Sequence, residues 1–305
     1  MGFRQNEPPR LSGPYLGQKP PGKTPEIFAP GIVSTGAFEH SSPTFSPDGN
    51  EIYWSVHDPG NVEHIRPIVF MRRENNIWSN PRPAGFVRRD YHYEYPFFSV
   101  DGQRLYFCAK RPDRENSDYD IWFVERTPSG WSRQTKLGSP PNSEDFDAQP
   151  SLARDGSVYF ISHYDKAMPQ YGLYLSRYLA GRYLPPVLME DKFNRLHADW
   201  TPYIAPDESY LLFSSFRDGG FGSGDLYIAF KYGDGSWGDV INLGDKVNTE
   251  ANERFPNVTP DGRYLFFNST RKLPGARTDE PGNGNGDVYW IDAKFLGDLN
   301  PTGLR

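Results

Sequence analysis

The sequence predicts an all-β fold, a five-bladed β-propeller of four-stranded antiparallel blades, and three observations carry that expectation. A Pro-x-x-(Ser/Thr/Ala)-x-Asp-Gly core recurs at Pro43, Pro96, Pro150, Pro202 and Pro256, so successive steps are 53, 54, 52 and 54 residues; only the fourth copy departs, with Glu208 in place of glycine. Each core is followed by a short aromatic-aliphatic run, such as Ile52-Tyr53-Trp54 or Leu265-Phe266-Phe267. Aromatics reach 15% against only 36% hydrophobic residues, and Gly and Pro number 30 and 29, a composition of short strands and turns. A period this long marks stacked units, none able to bury its apolar face alone.

In chain order, residues 1–20 are expected as a Pro/Gly-rich tail and 21–305 as a single propeller domain. Within a repeat, the fourth serves as specimen. Pro202-Tyr203-Ile204-Ala205 is a short first strand, Pro206-Asp207-Glu208 the turn, and Tyr210 to Ser214 the second strand. After a glycine-rich loop comes the third strand at Asp225-Leu226-Tyr227, echoed by Asp120-Ile121-Trp122, Gly172-Leu173-Tyr174 and Asp287-Val288-Tyr289. An aromatic then opens the fourth strand: Trp78, Trp131, Tyr183 and Trp237. These rings are expected to pack between neighbouring sheets with their polar edges finding partners. Four antiparallel strands per unit is the blade of a propeller. The fifth repeat has no fourth strand, while Pro25 to Pro30 falls where one belongs, so the N-terminal segment is expected to complete the last blade and close the ring.

The repeat resembles the WD40-like β-propeller repeat of the TolB type, found in many bacterial exported proteins. The five cores carry the resemblance. Ser269-Thr270-Arg271, the Gly-rich loops before Asp225 and Asp287, and Asn242-Leu243-Gly244…Val247-Asn248-Thr249…Asn252-Glu253 support it. It implies an exported binding or scaffold protein, periplasmic or extracellular, because that repeat brings no catalytic motif.

The net charge of −6 provides no basic field, which argues against a nucleic-acid partner. No apolar run approaches the ~20 residues of a membrane span. The single cysteine, Cys108, follows Leu105-Tyr106-Phe107 and reads as a buried, inert thiol. The expected partner is a protein, peptide or glycan, and the expected state a monomer.

In a propeller the Asp-Gly turns lie on one face; the links between blades and between second and third strands lie on the other. All six histidines belong to those links: His40, His92 and His197 between blades, His57, His64 and His163 within them. Loops on a rigid ring are where binding groups gather. Three residues before each repeat proline stand His40, Tyr93, Asp147, Asp199 and Glu253; closing the second strand stand His57, Arg111, Tyr164, Arg217 and Arg271. Asp199 with Arg217 and Glu253 with Arg271 read as charge-assisted ties between link and blade. The first three blades break that pairing, and a repeat that abandons its own rule invites a local task. His40, His57, His92, Tyr93, Asp147, His163 and Asp199 are therefore expected to converge over the channel mouth, with His197, Arg111, Arg217, Glu253 and Arg271 around them. Such donors suit a divalent metal such as Zn²⁺, although no tight spacing such as His-Glu-x-x-His occurs. Aromatics on that face, among them Tyr95, Tyr171, Trp200, Phe216 and Phe221, suit flat, hydroxyl-rich ligands. Two functions follow: a non-catalytic binding propeller, or a carbohydrate hydrolase or lyase using Asp147, Asp199 and Glu253.

Two motifs mislead. Gly17-Gln18-Lys19-Pro20-Pro21-Gly22-Lys23-Thr24 matches the phosphate-loop pattern, but two prolines remove N–H donors, Pro25 follows immediately and no strand precedes. Gly222-Ser223-Gly224-Asp225 and Gly284-Asn285-Gly286-Asp287 resemble calcium repeats, yet tight turns with Asp capping the next strand explain them. No Gly-x-Ser-x-Gly elbow is present.

Overall fold

A computed structural model describes residues 11–57, 66–111, 118–165, 171–195 and 199–301. They form five antiparallel blade sheets in ring order, each built around one repeat core, and one small hairpin of Tyr178–Leu179 with Arg182–Tyr183. In blade 1, Phe38–Glu39 and Thr44–Phe45 make the broken inner strand, followed by Glu51–His57, Ile68–Glu74 and the short outer pieces Ile77–Trp78 and Arg82–Pro83. Blade 2 runs His92–Phe98, Arg104–Lys110 and Asp120–Thr127, with Gly130–Trp131 and Thr135–Lys136 outermost. Blade 3 runs Asp147–Leu152, Val158–Ser162, Gly172–Ser176 and Val187–Leu188; blade 4 runs Asp199–Ile204, Tyr210–Ser215, Asp225–Phe230 and Ile241–Asn242. Blade 5 has Glu253–Val258, Tyr264–Ser269 and Asp287–Asp292, and its fourth strand is Glu26–Ile27, with Glu26 opposite Trp290. The ring closes as the sequence predicts.

The repeat core is a turn that satisfies itself. Asp48 accepts from the Ser46 hydroxyl (2.5 Å) and the Asn50 amide (3.0 Å), and Asp101 and Asp261 repeat the device, whereas Asp155 and Asp207, preceded by Ala153 and Ala205, take both bonds from the serine two residues after them. The next residue takes a left-handed backbone, φ +65° at Gly49 and +71° at Gly262, which explains the glycine. Glu208 adopts φ +59° without that freedom. Its carboxylate receives Arg177 (2.6 Å), Lys231 (2.8 Å) and Tyr159 (2.7 Å), contacts a glycine could not make.

The outer-strand aromatics join blades as expected. Trp131 of blade 2 donates its indole N–H to Tyr53 of blade 1 (2.9 Å), and Trp237 meets Phe193 edge-on at 5.5 Å. Residues 11–20, expected as a tail, lie along the closing seam. Leu16 is buried, Trp78 donates to the Gly13 carbonyl (2.7 Å), and Gln18 bonds both Ile27 and Ala29. Phe28 is buried there among Phe45, Phe266 and Trp290. The phosphate-loop lookalike thus falls in turns and bends of this seam.

Every inner strand is irregular just before its proline. In blade 5, Arg254 faces Asn268 and Asn257 faces Phe266, so three steps oppose two and one residue bulges. Blades 2, 3 and 4 do the same. The bulged residues Tyr95, Gln149, Thr201 and Phe255 have φ between +54° and +58°, a costly backbone for side chains other than glycine. Bonds between blades hold it: Thr201 N to Gln149 Oε1 (2.8 Å), Phe255 N to Thr201 Oγ1 (3.2 Å) and Gln149 N to Cys108 Sγ (3.1 Å). Cys108 is fully buried, and burial pushes its thiol up. Blade 1 differs. Glu39 faces Val56 and Thr44 faces Tyr53, so five steps oppose three and two residues are extra.

These bulges narrow the central channel to a space of about 40 Å³ lined by Ser42, Tyr95, Gln149, Thr201 and Phe255. A separate hollow of about 170 Å³ opens towards the Asp-Gly turns, between Phe45, Phe97, Leu152, Tyr203, Val258 and Arg154.

Candidate functional site

The position three before the repeat proline carries carboxylates in blades 3, 4 and 5, and all are buried. Asp147 accepts from Ser143 N (2.5 Å), Ser143 Oγ (2.8 Å) and Ser162 Oγ (2.5 Å). Burial raises its carboxyl to about 6, against the pull of these serines. Asp199 receives Arg195 N (2.8 Å) and Arg217 Nη2 (2.7 Å). Glu253 receives Thr249 N and Oγ1 (both 2.8 Å), Ser269 Oγ (2.6 Å) and Arg271 Nη2 (3.2 Å). Both arginines also donate to link carbonyls, Arg217 to Lys192 (3.0 Å) and Arg271 to Val247 (2.6 Å). The two acid–arginine ties predicted from the sequence are present, turned into their own blades.

The extra residue in blade 1 changes what is equivalent to what. The carboxylate matching Glu253 is Glu39, which accepts from Thr35 N (3.1 Å) and Oγ1 (2.7 Å); burial raises it to about 8, against those bonds. His40, aligned with the acids by counting from Pro43, instead occupies the widened bulge. In blade 2 the anchoring role falls to Tyr93, whose hydroxyl accepts from Arg88 N (3.0 Å) and donates to Gln134 (2.9 Å). Its neighbour Glu94 is then free to face blade 1.

Glu94 is the centre of the mouth. Its carboxylate meets His40 Nδ1 (3.4 Å), the Tyr119 hydroxyl (2.9 Å) and the Arg66 guanidinium. Burial would raise its carboxyl, but His40 and Arg66 overcome burial and hold it down at about 2. The Tyr95 hydroxyl, inside the channel, lies 3.3 Å from His40 Nδ1, and Phe255 lies 5.3 Å from the His40 ring. His92 is half-buried with its Nδ1 unpartnered; burial, then Arg66 and Lys110, lower its basicity, and His57 adds to this. Lys110 sits 4.8 Å over Tyr119. Arg254 lies over Phe38 (5.3 Å) and Phe255 (5.2 Å), its Nε buried without a hydrogen-bond partner, and burial lowers its basicity. Among the described residues no carboxylate pairs with it.

The opposite side of the mouth is aromatic. Tyr171 packs against Phe146 (4.6 Å), Trp200 (5.5 Å) and the His163 ring (5.7 Å), with Asp118 and Asp145 nearby. Phe216 and Phe221 in the next link are 48% and 50% exposed. The structure therefore gathers His40, His57 and His92 and places His163 across from them. Arg111 lies outward, 3.9 Å from Asp90 and over Tyr91. His197 and His64 fall outside the described residues. Among the described residues no group of three or more His, Cys, Asp or Glu is arranged to hold a metal ion.

Sequence reasoning missed Glu94, Arg66 and Arg254. One signal would have found the first: Thr35, Ser143 and Thr249 each stand four residues before the acid they hold, at Glu39, Asp147 and Glu253. That spacing fixes the anchoring position independently of the proline and leaves Glu94 outside it.

Protein-family models and curated proteins match nothing in this chain. Solved structures do. A family 117 glycoside hydrolase from Zobellia galactanivorans covers 92% of both chains at 11% identity and a TM-score of 0.51. A structure described as putative TolB from Agrobacterium tumefaciens matches at 18% identity over 83% of this chain and 89% of its own, TM-score 0.46. TolB from Acinetobacter baumannii matches at 17% over 68% of this chain, TM-score 0.40, and this chain spans 45% of its length. Identities this low speak to fold alone. No helix among the described residues is long and apolar enough to cross a membrane.

Proposed function

We propose that this chain is a binding propeller that takes a peptide, glycan or protein segment at the channel mouth formed by His40, Glu94, Arg66 and Arg254. The disposition of the carboxylates carries this reading. Glycoside hydrolysis of the common kind needs two carboxyl groups flanking one bond, one of them protonated near neutral pH. Asp147, Asp199 and Glu253 turn into their blades, where serine, threonine, arginine and backbone donors occupy them. Of the inner-strand carboxylates among the described residues, Glu94 alone faces the mouth, and its depressed pKa keeps it from acting as an acid. The groups left over, Arg254 and His92, have unsatisfied hydrogen-bonding atoms, as a preformed binding surface requires. An exported setting, periplasmic or extracellular, belongs to this reading through the TolB-type resemblance.

The test is a thermal-shift screen of the whole chain against peptide and glycan panels, repeated with His40→Ala. A stabilising ligand whose effect disappears in the variant supports binding at this mouth. Turnover of any panel member that disappears in Glu94→Gln overturns the non-catalytic reading.

A further inference from the structure

We propose that the ligand of this mouth is an acidic oligosaccharide whose carboxylate is clamped by Arg254 while its sugar rings lie on Trp200 and Tyr171. This rests on the binding reading and narrows it. Glu94, Trp200 and Arg254 occupy one register position, the residue before the bulge, in blades 2, 4 and 5. Trp200 and Arg254 are thus counterparts on neighbouring inner strands, which are joined by the Phe255 N to Thr201 Oγ1 bond. Arg254 is held over two aromatic rings with a buried Nε unpartnered, and among the described residues no carboxylate forms an ion pair with it. An arginine fork pairs best with a planar carboxylate. Arg66, paired with Glu94, and Lys110 stand near it as further fixed cations on the same side of the mouth. On the blade 3–4 side the aromatic cluster of Trp200, Tyr171 and Phe146 offers ring edges and faces for pyranose C–H surfaces, and Asp118 can accept a sugar hydroxyl. A uronate-ended sugar matches both halves at once; an acidic peptide matches only the first.

The experiment is calorimetric titration of the whole chain with trigalacturonate, the neutral trigalactose, and triglutamate as the peptide probe. The acidic sugar is expected to bind roughly 10-fold or more tighter than the neutral one. Arg254→Gln should abolish that difference, and Trp200→Ala should weaken both sugars. Equal affinity of acidic and neutral sugars, or an acid preference that survives Arg254→Gln, overturns the clamp. Triglutamate binding as tightly as trigalacturonate overturns the sugar assignment but leaves the binding reading standing. Failure of all three probes at millimolar concentration, with other panel ligands still binding at the mouth, sinks the inference alone; failure of every ligand sinks both.

Discussion

Glu253 and Glu94 are the same side chain one strand position apart relative to the repeat, and they do opposite jobs. Glu253 points into blade 5, where the donors from Thr249, Ser269 and Arg271 close its link against its own sheet. Glu94 points at blade 1, towards groups that remain partly in water: the side chains of His40 and Arg66 are 19% and 29% exposed. A one-residue step along a strand sends a side chain to the other face of the sheet. By giving the anchoring position to Tyr93, blade 2 moved its carboxylate from holding the fold to furnishing the mouth.

The largest expected effect separates these two roles. Glu253→Ala leaves the Arg271 guanidinium, 16% exposed, and the Thr249 and Ser269 donors without their acceptor. A broken buried pair costs about 3–5 kcal/mol, read as a lower midpoint in urea unfolding. Glu94→Gln should cost less, about 1–2 kcal/mol, because His40 and Arg66 can rehydrate and the amide keeps one acceptor. Equal costs would mean that Glu94 is also a structural tie, and the contrast between the two glutamates would fail.

Acid titration sharpens the contrast by sign. Glu39, raised to about 8 in the fold, keeps its proton there while the unfolded chain releases it above about 4.5. Its contribution is full below the unfolded value and is lost as pH rises towards 8, on the order of a few kcal/mol. Glu94, held at about 2, contributes above the unfolded value and loses it as pH falls from about 4.5 towards 2. Glu39→Gln should therefore flatten the alkaline side of the stability profile and Glu94→Gln the acid side. Unfolding midpoints measured from pH 3 to 8 check both; exchange of the two effects would reverse the assignment of roles.

The ring itself was legible because its signals are local and repeated. An Asp that caps its own turn and the left-handed residue after it, glycine in four copies and Glu208 in the fifth, must be neighbours in sequence, so five copies announce five turns. Closure by Glu26–Ile27 followed from counting a missing strand. The shared rim of His40, His57 and His92 followed from topology. The contents of the mouth were less legible, since they depend on bulges. Blade 1 carries two extra residues on its inner strand and the other blades one, a difference that the 52–54-residue period absorbs without trace. Counting from proline therefore set His40 beside the anchoring acids and passed over Glu39. Arg254 and Arg66 resemble ordinary surface arginines until neighbouring blades are placed beside them.

The smallest effect tests whether Tyr93 has taken over the anchoring position. Its hydroxyl accepts from Arg88 N and donates to Gln134, in the place where Glu253 accepts from Thr249 N. The ring is buried among Phe86, Tyr91 and Phe107, and Tyr93→Phe keeps all of that packing. What it removes is one hydroxyl between two partners near solvent, so the loss should be about 1 kcal/mol. Amide exchange at Arg88 should accelerate, since its N–H loses its only acceptor in the link. Ligand binding at the mouth should stay as it was, because Tyr93 faces away from Glu94. A Tyr93→Phe variant with unchanged exchange at Arg88 but weakened binding would place the phenol in the mouth and return blade 2 to a strand without an anchor.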